Sequence, residues 1–375
     1  MFSIGHVYWR APFPLHGGPI PDQAATPERA VAPDLVRAVA IGLVVLLHTA
    51  AVLARHGPGR GAAAFWAGNI FDSLARPAVP LFVLLTGWML LAPARREESI
   101  GRFLWRRLGK VGLPLVVWSL VAFWWVAVRD HRAVNWAGFP RQLLNGPVFY
   151  HLWYVYVLLG LYLVIPILRP LAATASQALR WYTLGLWFVW SSVLPLWTWW
   201  GGPNVAIPVA VVSTYVGYLL AGVWLAGIPT SRRTRLELLL LIVLATIWTI
   251  VATARLTGTD TLNQSLYGYE RPNVLVMSVG WFVLLTQAEP AAWVARHPRW
   301  LAVVRLVSAT SYGAYLVHPF ILNVLDSGFL GVQVSGASLP PFLGVPVLAL
   351  GVLTVSVGLM VALRRIPIVG KLLGA

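Results

Sequence analysis

The chain has 375 residues, of which 58% are hydrophobic and only 11% charged, with a mean hydropathy of +0.74. A soluble domain carries about 25% charged residues, so this composition excludes a water-facing surface and makes lipid the solvent. The formal charge of +16 falls in short loops between apolar runs, which argues for membrane topology and against nucleic acid as a partner, and the absence of cysteine excludes disulfides, thiolate metal sites and a cysteine nucleophile.

Residues 1–33 are rich in Pro and Gly, contain no apolar run long enough for a signal peptide, and are expected to form a disordered cytoplasmic tail. Ten apolar runs follow, near 34–54, 70–93, 110–128, 151–169, 180–198, 204–227, 236–254, 272–288, 304–325 and 341–363. Each is long enough to cross about 30 Å of hydrocarbon at about 1.5 Å per helical residue. The expected fold is therefore an all-α integral membrane bundle of about ten transmembrane helices, occupying 34–365, with 366–375 as a short cytoplasmic tail. Of the 28 Lys and Arg residues, 19 fall in the N-terminal tail, the even-numbered loops and the C-terminal tail, and seven in the odd-numbered loops. That bias puts both termini in the cytoplasm and Trp197, Trp199 and Trp200 at the outer interface.

Ionisable groups inside spans are costly, and each is a candidate for function. In the first predicted helix, Arg37 and His48 are eleven residues apart, three turns plus about 20°, so both project from one face about 16 Å apart along the axis. Arg37 can be a snorkelling end-charge paired with Asp34; His48 suits general-base work. In the second, Asn69, Asp72 and Arg76 share one face beside Pro77 and Pro80, and the plain alternative is an i,i+4 ion pair between Asp72 and Arg76. The fourth opens with His151, Trp153, Tyr154 and Tyr156, most of them residues an interfacial belt would use. In the ninth, Ser308, Ser311, Tyr315 and His318 recur as one polar stripe on an apolar helix, which marks the wall of a cavity. His48, His151 and His318 all enter the outer half of their spans. No metal-binding spacing, phosphate loop or nucleophile elbow is present. These residues describe a polar, basic, His-lined cavity opening outward, and leave chemistry and transport both open.

Four motifs then carry a resemblance. They are Arg-x10-His in the frame Asp34, Arg37, Ala40, Val44, His48; Arg76, Pro80, Leu81, Phe82, Thr86, Gly87; His151, Leu152, Trp153, Tyr154 with Tyr162, Leu163, Pro166; and Ser311, Tyr312, Gly313, Tyr315, Leu316, His318. In this order the sequence resembles bacterial membrane acyltransferase family 3, the ten-helix O-acyltransferases of surface glycans. The resemblance implies a cytoplasmic acyl-CoA donor, usually acetyl-CoA, with no tightly bound cofactor, and a glycan or lipid-linked sugar acceptor. It also implies a place in the bacterial inner membrane. It further implies that Arg37, His48 and Arg76 are essential; with the residues read above, catalytic roles are expected for His48, Arg76 and His151, donor binding at Arg37, and a substrate cavity bounded by Asp72, Tyr315 and His318, with no metal. Two departures stand out: 157–160 lacks the carboxylate many members carry, and Thr86 replaces the usual Ser. No fused esterase-like outer domain is expected, so the acyl group would be handed on directly or through a separate partner. The competing expectation is a proton-coupled transporter or flippase for a glycan precursor.

Overall fold

In a bilayer the backbone must satisfy its own hydrogen bonds, and a chain this apolar does so as helices. The computed structural model describes residues 27–92, 98–202, 214–329 and 331–374, and among the described residues there is no strand. The helices are α1 (Pro27–Ala54), α2 (Ala62–Ala75), α3 (Ala78–Leu91), α4 (Ile100–Arg129), the short α5 (Phe139–Asn145), α6 (Trp153–Thr174), α7 (Gln177–Phe188) and α8 (Leu194–Trp199). They continue with α9 (Thr214–Leu225), α10 (Arg232–Leu256), α11 (Pro272–Leu285), α12 (Ala288–Arg296), α13 (Pro298–Asp326), α14 (Pro341–Leu363) and α15 (Pro367–Leu373).

Among the described residues, seven segments are long and apolar enough to cross a membrane, with α2 and α3 together forming one of them. An eighth is formed if α11 and α12, bent by 54° at their break, act as one span. This is a multi-pass membrane protein. The two remaining predicted spans are less regular. The run near 180–198 is α7 and α8 joined through a π-turn at Val189–Val193, and most of the next predicted run before α9, 203–213, lies outside the described residues.

Two boundaries differ from expectation. Helix α1 begins at Pro27, inside the predicted tail, because proline is well placed in a first helical turn; residues 1–26 lie outside the described residues. The predicted C-terminal tail contains α15, whose Leu373 carbonyl accepts a 3.1 Å hydrogen bond from Trp118 Nε1 of α4.

Lipid solvation inverts the usual sorting of side chains. Helix α10 exposes Leu236, Leu240, Leu244 and Ile247 and buries Thr246, Thr249 and Thr253, so its hydroxyl face turns inward. Helix α1 is central, packed against α2, α3, α13 and α14. Helix α3 meets α9 backbone to backbone: a Cβ on Gly87 would collide with the Leu219 carbonyl, and one on Gly222 with the Leu84 carbonyl. That gives the glycine of the second motif a packing reason.

Candidate functional site

Arg37 sits in the second turn-pair of α1, where its guanidinium donates to Asp34 Oδ1 at 3.3 Å and to Ser308 Oγ of α13 at 2.9 Å. Ser308 in turn donates to Asp34 Oδ1 at 2.6 Å, closing a three-membered polar ring between two helices. The ring lies on a cavity of about 760 Å³. Arg37, Arg107, Lys110 and Arg364 supply its cations, and Tyr154, Tyr162, Tyr312 and Tyr315 line it with Phe82, Thr86 and Leu158. Its cations come from the cation-rich face of the bundle.

Pro77 lacks an amide hydrogen, and the helix breaks there between α2 and α3. Arg76 occupies the break. Its guanidinium pairs with buried Asp72, donates to the Tyr267 carbonyl at 3.4 Å, and lies 4.0 Å from the centroid of the Tyr267 ring. Tyr267 belongs to the connection between α10 and α11, and its hydroxyl donates to Asn69 Oδ1 at 2.6 Å. Asn69 also donates to the Ile250 carbonyl of α10 at 2.9 Å. This connection is itself pinned over the α1–α2 turn by backbone bonds from Gly59 to Thr259 and from Leu262 to Arg55. Arg76 Nε is buried without a partner.

Between these two regions lie three imidazoles. His318 Nε2 and His48 Nδ1 are 2.9 Å apart, and His318 Nδ1 lies 3.0 Å from the Ala314 carbonyl. The His151 ring centroid is 5.9 Å from that of His318, and its Nε2 is 3.2 Å from the Leu316 carbonyl, leaving Nδ1 buried and unpartnered. His151 and His318 are fully buried, whereas His48 is half-buried, 5.4 Å from the exposed ring of Tyr150. Tyr315 links this cluster to the cavity, lining the cavity while its hydroxyl donates to the His151 carbonyl.

The predicted site residues therefore fall into three connected groups. His48, His151 and His318 come together, with Tyr315 beside them. Arg37 and Tyr315 line the cavity, but Asp72 and His318 do not: Asp72 is consumed by Arg76 and His318 by His48. This cavity is lined with cations and tyrosines, and His151 and His318 are packed against its Tyr315. Sequence reasoning missed Tyr267 and Tyr150. In Leu266–Pro272 the only signal was a run of aromatic and charged residues ahead of an apolar helix.

Comparison with protein families finds that residues 31–361 match the model described as an acyltransferase domain, that of acyltransferase family 3. Comparison with curated proteins and with solved structures finds no match.

Proposed function

This chain belongs to acyltransferase family 3, and from that premise we propose that it moves a short acyl group, acetyl first among candidates, from cytoplasmic acyl-CoA to a hydroxyl of an exported or cell-surface polysaccharide. Its setting is the bacterial inner membrane, with the cation-rich face in the cytoplasm. The observation that carries this reading is the cavity itself, which starts among Arg37, Arg107, Lys110 and Arg364 and ends at Tyr315, against the three imidazoles. Cations of this kind suit the phosphates of CoA, and the tyrosine-lined interior suits its narrow thioester arm.

In the proposed reaction the acceptor oxygen attacks the thioester carbonyl while His48 takes the hydroxyl proton. The carbon–sulfur bond breaks, the ester forms, and the thiolate leaves as CoA thiol after receiving that proton. Arg76 stabilises the oxyanion through Nε–H, on the guanidinium nitrogen that has no partner. His151 borders the reacting centre, and the acyl group reaches His48 when the Tyr315 ring swings from the His151 carbonyl.

Membrane vesicles containing wild type or His48→Ala, matched for expression, are given radiolabelled acetyl-CoA and total envelope glycan. Base-labile label on glycan is expected with wild type and reduced by about 10²–10⁴-fold in the variant, the usual span of general-base catalysis. Equal label from both removes His48 from the chemistry. No label from either, together with glycan movement across the membrane, favours a transporter.

A further inference from the structure

We infer that His318 is a positioning residue that fixes the tautomer of His48 and leaves His48 Nε2 as the nitrogen that takes the acceptor proton. The inference rests on the reaction proposed above and adds to it a second histidine and a specific atom.

A neutral imidazole has one N–H and one lone pair, and a carbonyl oxygen only accepts. His318 Nδ1 faces the Ala314 carbonyl at 3.0 Å, so Nδ1 carries the hydrogen and Nε2 the lone pair. That lone pair lies 2.9 Å from His48 Nδ1, so His48 Nδ1 must carry a hydrogen and donate it. The lone pair of His48 is then on Nε2. The chain of bonds starts at a backbone carbonyl of α13 and ends at a side chain of α1, two helices packed along much of their length.

His318 itself is not placed to be the base. It is 0% exposed and both its nitrogens are engaged, one by Ala314 and one by His48. His48 is the half-buried member, with its Nδ1 held by His318. His151 does not compete for the same role, because its Nε2 donates to the Leu316 carbonyl, the opposite tautomer. The arrangement does with a second imidazole what a buried carboxylate does for the histidine of a serine hydrolase: it holds the ring, and it selects which nitrogen is basic. Free neutral histidine in water favours the Nε2–H form, so the tautomer inferred here is the one that needs a partner to hold it.

The test uses the full chain, with 15N-labelled histidine, in lipid bilayers, by solid-state NMR alongside acetyl-transfer kinetics. The His48 signals are assigned by their loss in His48→Gln. In wild type, His48 is expected with Nδ1 protonated and Nε2 bare. In His318→Leu, which removes the acceptor, His48 is expected to revert to the Nε2–H form. Its kcat should fall about 100-fold, with KM for acetyl-CoA within about two-fold of wild type. His318→Gln offers an amide oxygen near the lost Nε2, and should keep the Nδ1–H form with kcat within about ten-fold of wild type. An Nε2–H His48 in the wild-type spectrum overturns the inference. So does His318→Leu with wild-type kcat per folded molecule, or equal losses in both variants with the His48 tautomer unchanged, the pattern of a merely structural role. If wild type transfers no acetyl group, the activity reading fails and the spectrum alone decides: Nδ1–H supports the positioning role, Nε2–H overturns it.

Discussion

The arginine–aspartate pairs of α1 and α2 stand on neighbouring helices and are built for opposite purposes. Arg37 and Asp34 remain 32% and 30% exposed and share Ser308, and Arg37 and Ser308 line the cavity. Arg76 and Asp72 are 12% and 1% exposed, locked beneath Tyr267 at a helix break. A wet pair exchanges partners at little cost, so Arg37 can leave Asp34 for an incoming phosphate. A dry pair cannot be opened cheaply, because each charge alone in the interior is heavily penalised. Arg76 is thus able to act only from where it stands, with Nε as the guanidinium nitrogen left without a partner.

Four variants and one change of buffer can break this contrast. Arg76→Ala strands the Asp72 carboxylate and should lower stability by about 3–5 kcal/mol, measured by thermal unfolding in nanodiscs. The double variant Arg76→Met/Asp72→Leu should recover most of that stability without recovering acyl transfer; recovered activity would assign the pair to structure alone. Arg37→Ala removes a charge-assisted bond and should raise KM for acetyl-CoA about ten-fold, with unfolding temperature nearly unchanged. An unchanged KM would put Arg37 outside donor binding. Raising salt from about 0.05 to 0.5 M should weaken donor binding a few-fold while leaving the thermal stability given by Arg76 and Asp72 intact, since screening reaches exposed charges far more than buried ones. Tyr267→Phe keeps the ring over Arg76 but loses the bond to Asn69, and should cost about 1 kcal/mol in the same unfolding assay.

What the sequence made legible was what helical periodicity alone determines. The eleven-residue spacing of Arg37 and His48 puts them on one face of α1, and Ser308, Ser311, Tyr315 and His318 do share the buried face of α13, at 3%, 4%, 4% and 0% exposure. The i,i+4 pairing of Asp72 and Arg76 is equally local, and the structure contains it. Periodicity gives a face but not its neighbour, so the packing of His318 on His48 could not be read from spacing. Arg107 and Lys110 illustrate a different limit: a cation that orients a membrane protein and a cation that lines a pocket look the same in one dimension. Tyr267 was out of reach because its contacts to Asn69 and Arg76 cross some 190 residues of chain. The regular appearance of the 180–198 run concealed a π-turn, whose extra residue leaves no mark on hydropathy.

The layer of rings at Tyr315 has a meaning for the host membrane as well. Tyr154 and Tyr315 stand 5.7 Å apart, Tyr315 and His151 5.5 Å, and Phe149 stacks on Phe320 at 4.9 Å, so the inner end of the cavity is backed by aromatic surface. A constriction of such rings stays dewetted and stops ions, even where a narrow uncharged group can pass. Cells store energy as ion gradients across the bilayers that hold proteins of this kind. An aromatic layer of this kind, between the hollow and the half-buried His48, is expected to slow the leak of ions past the protein, which ion flux into sealed vesicles would read.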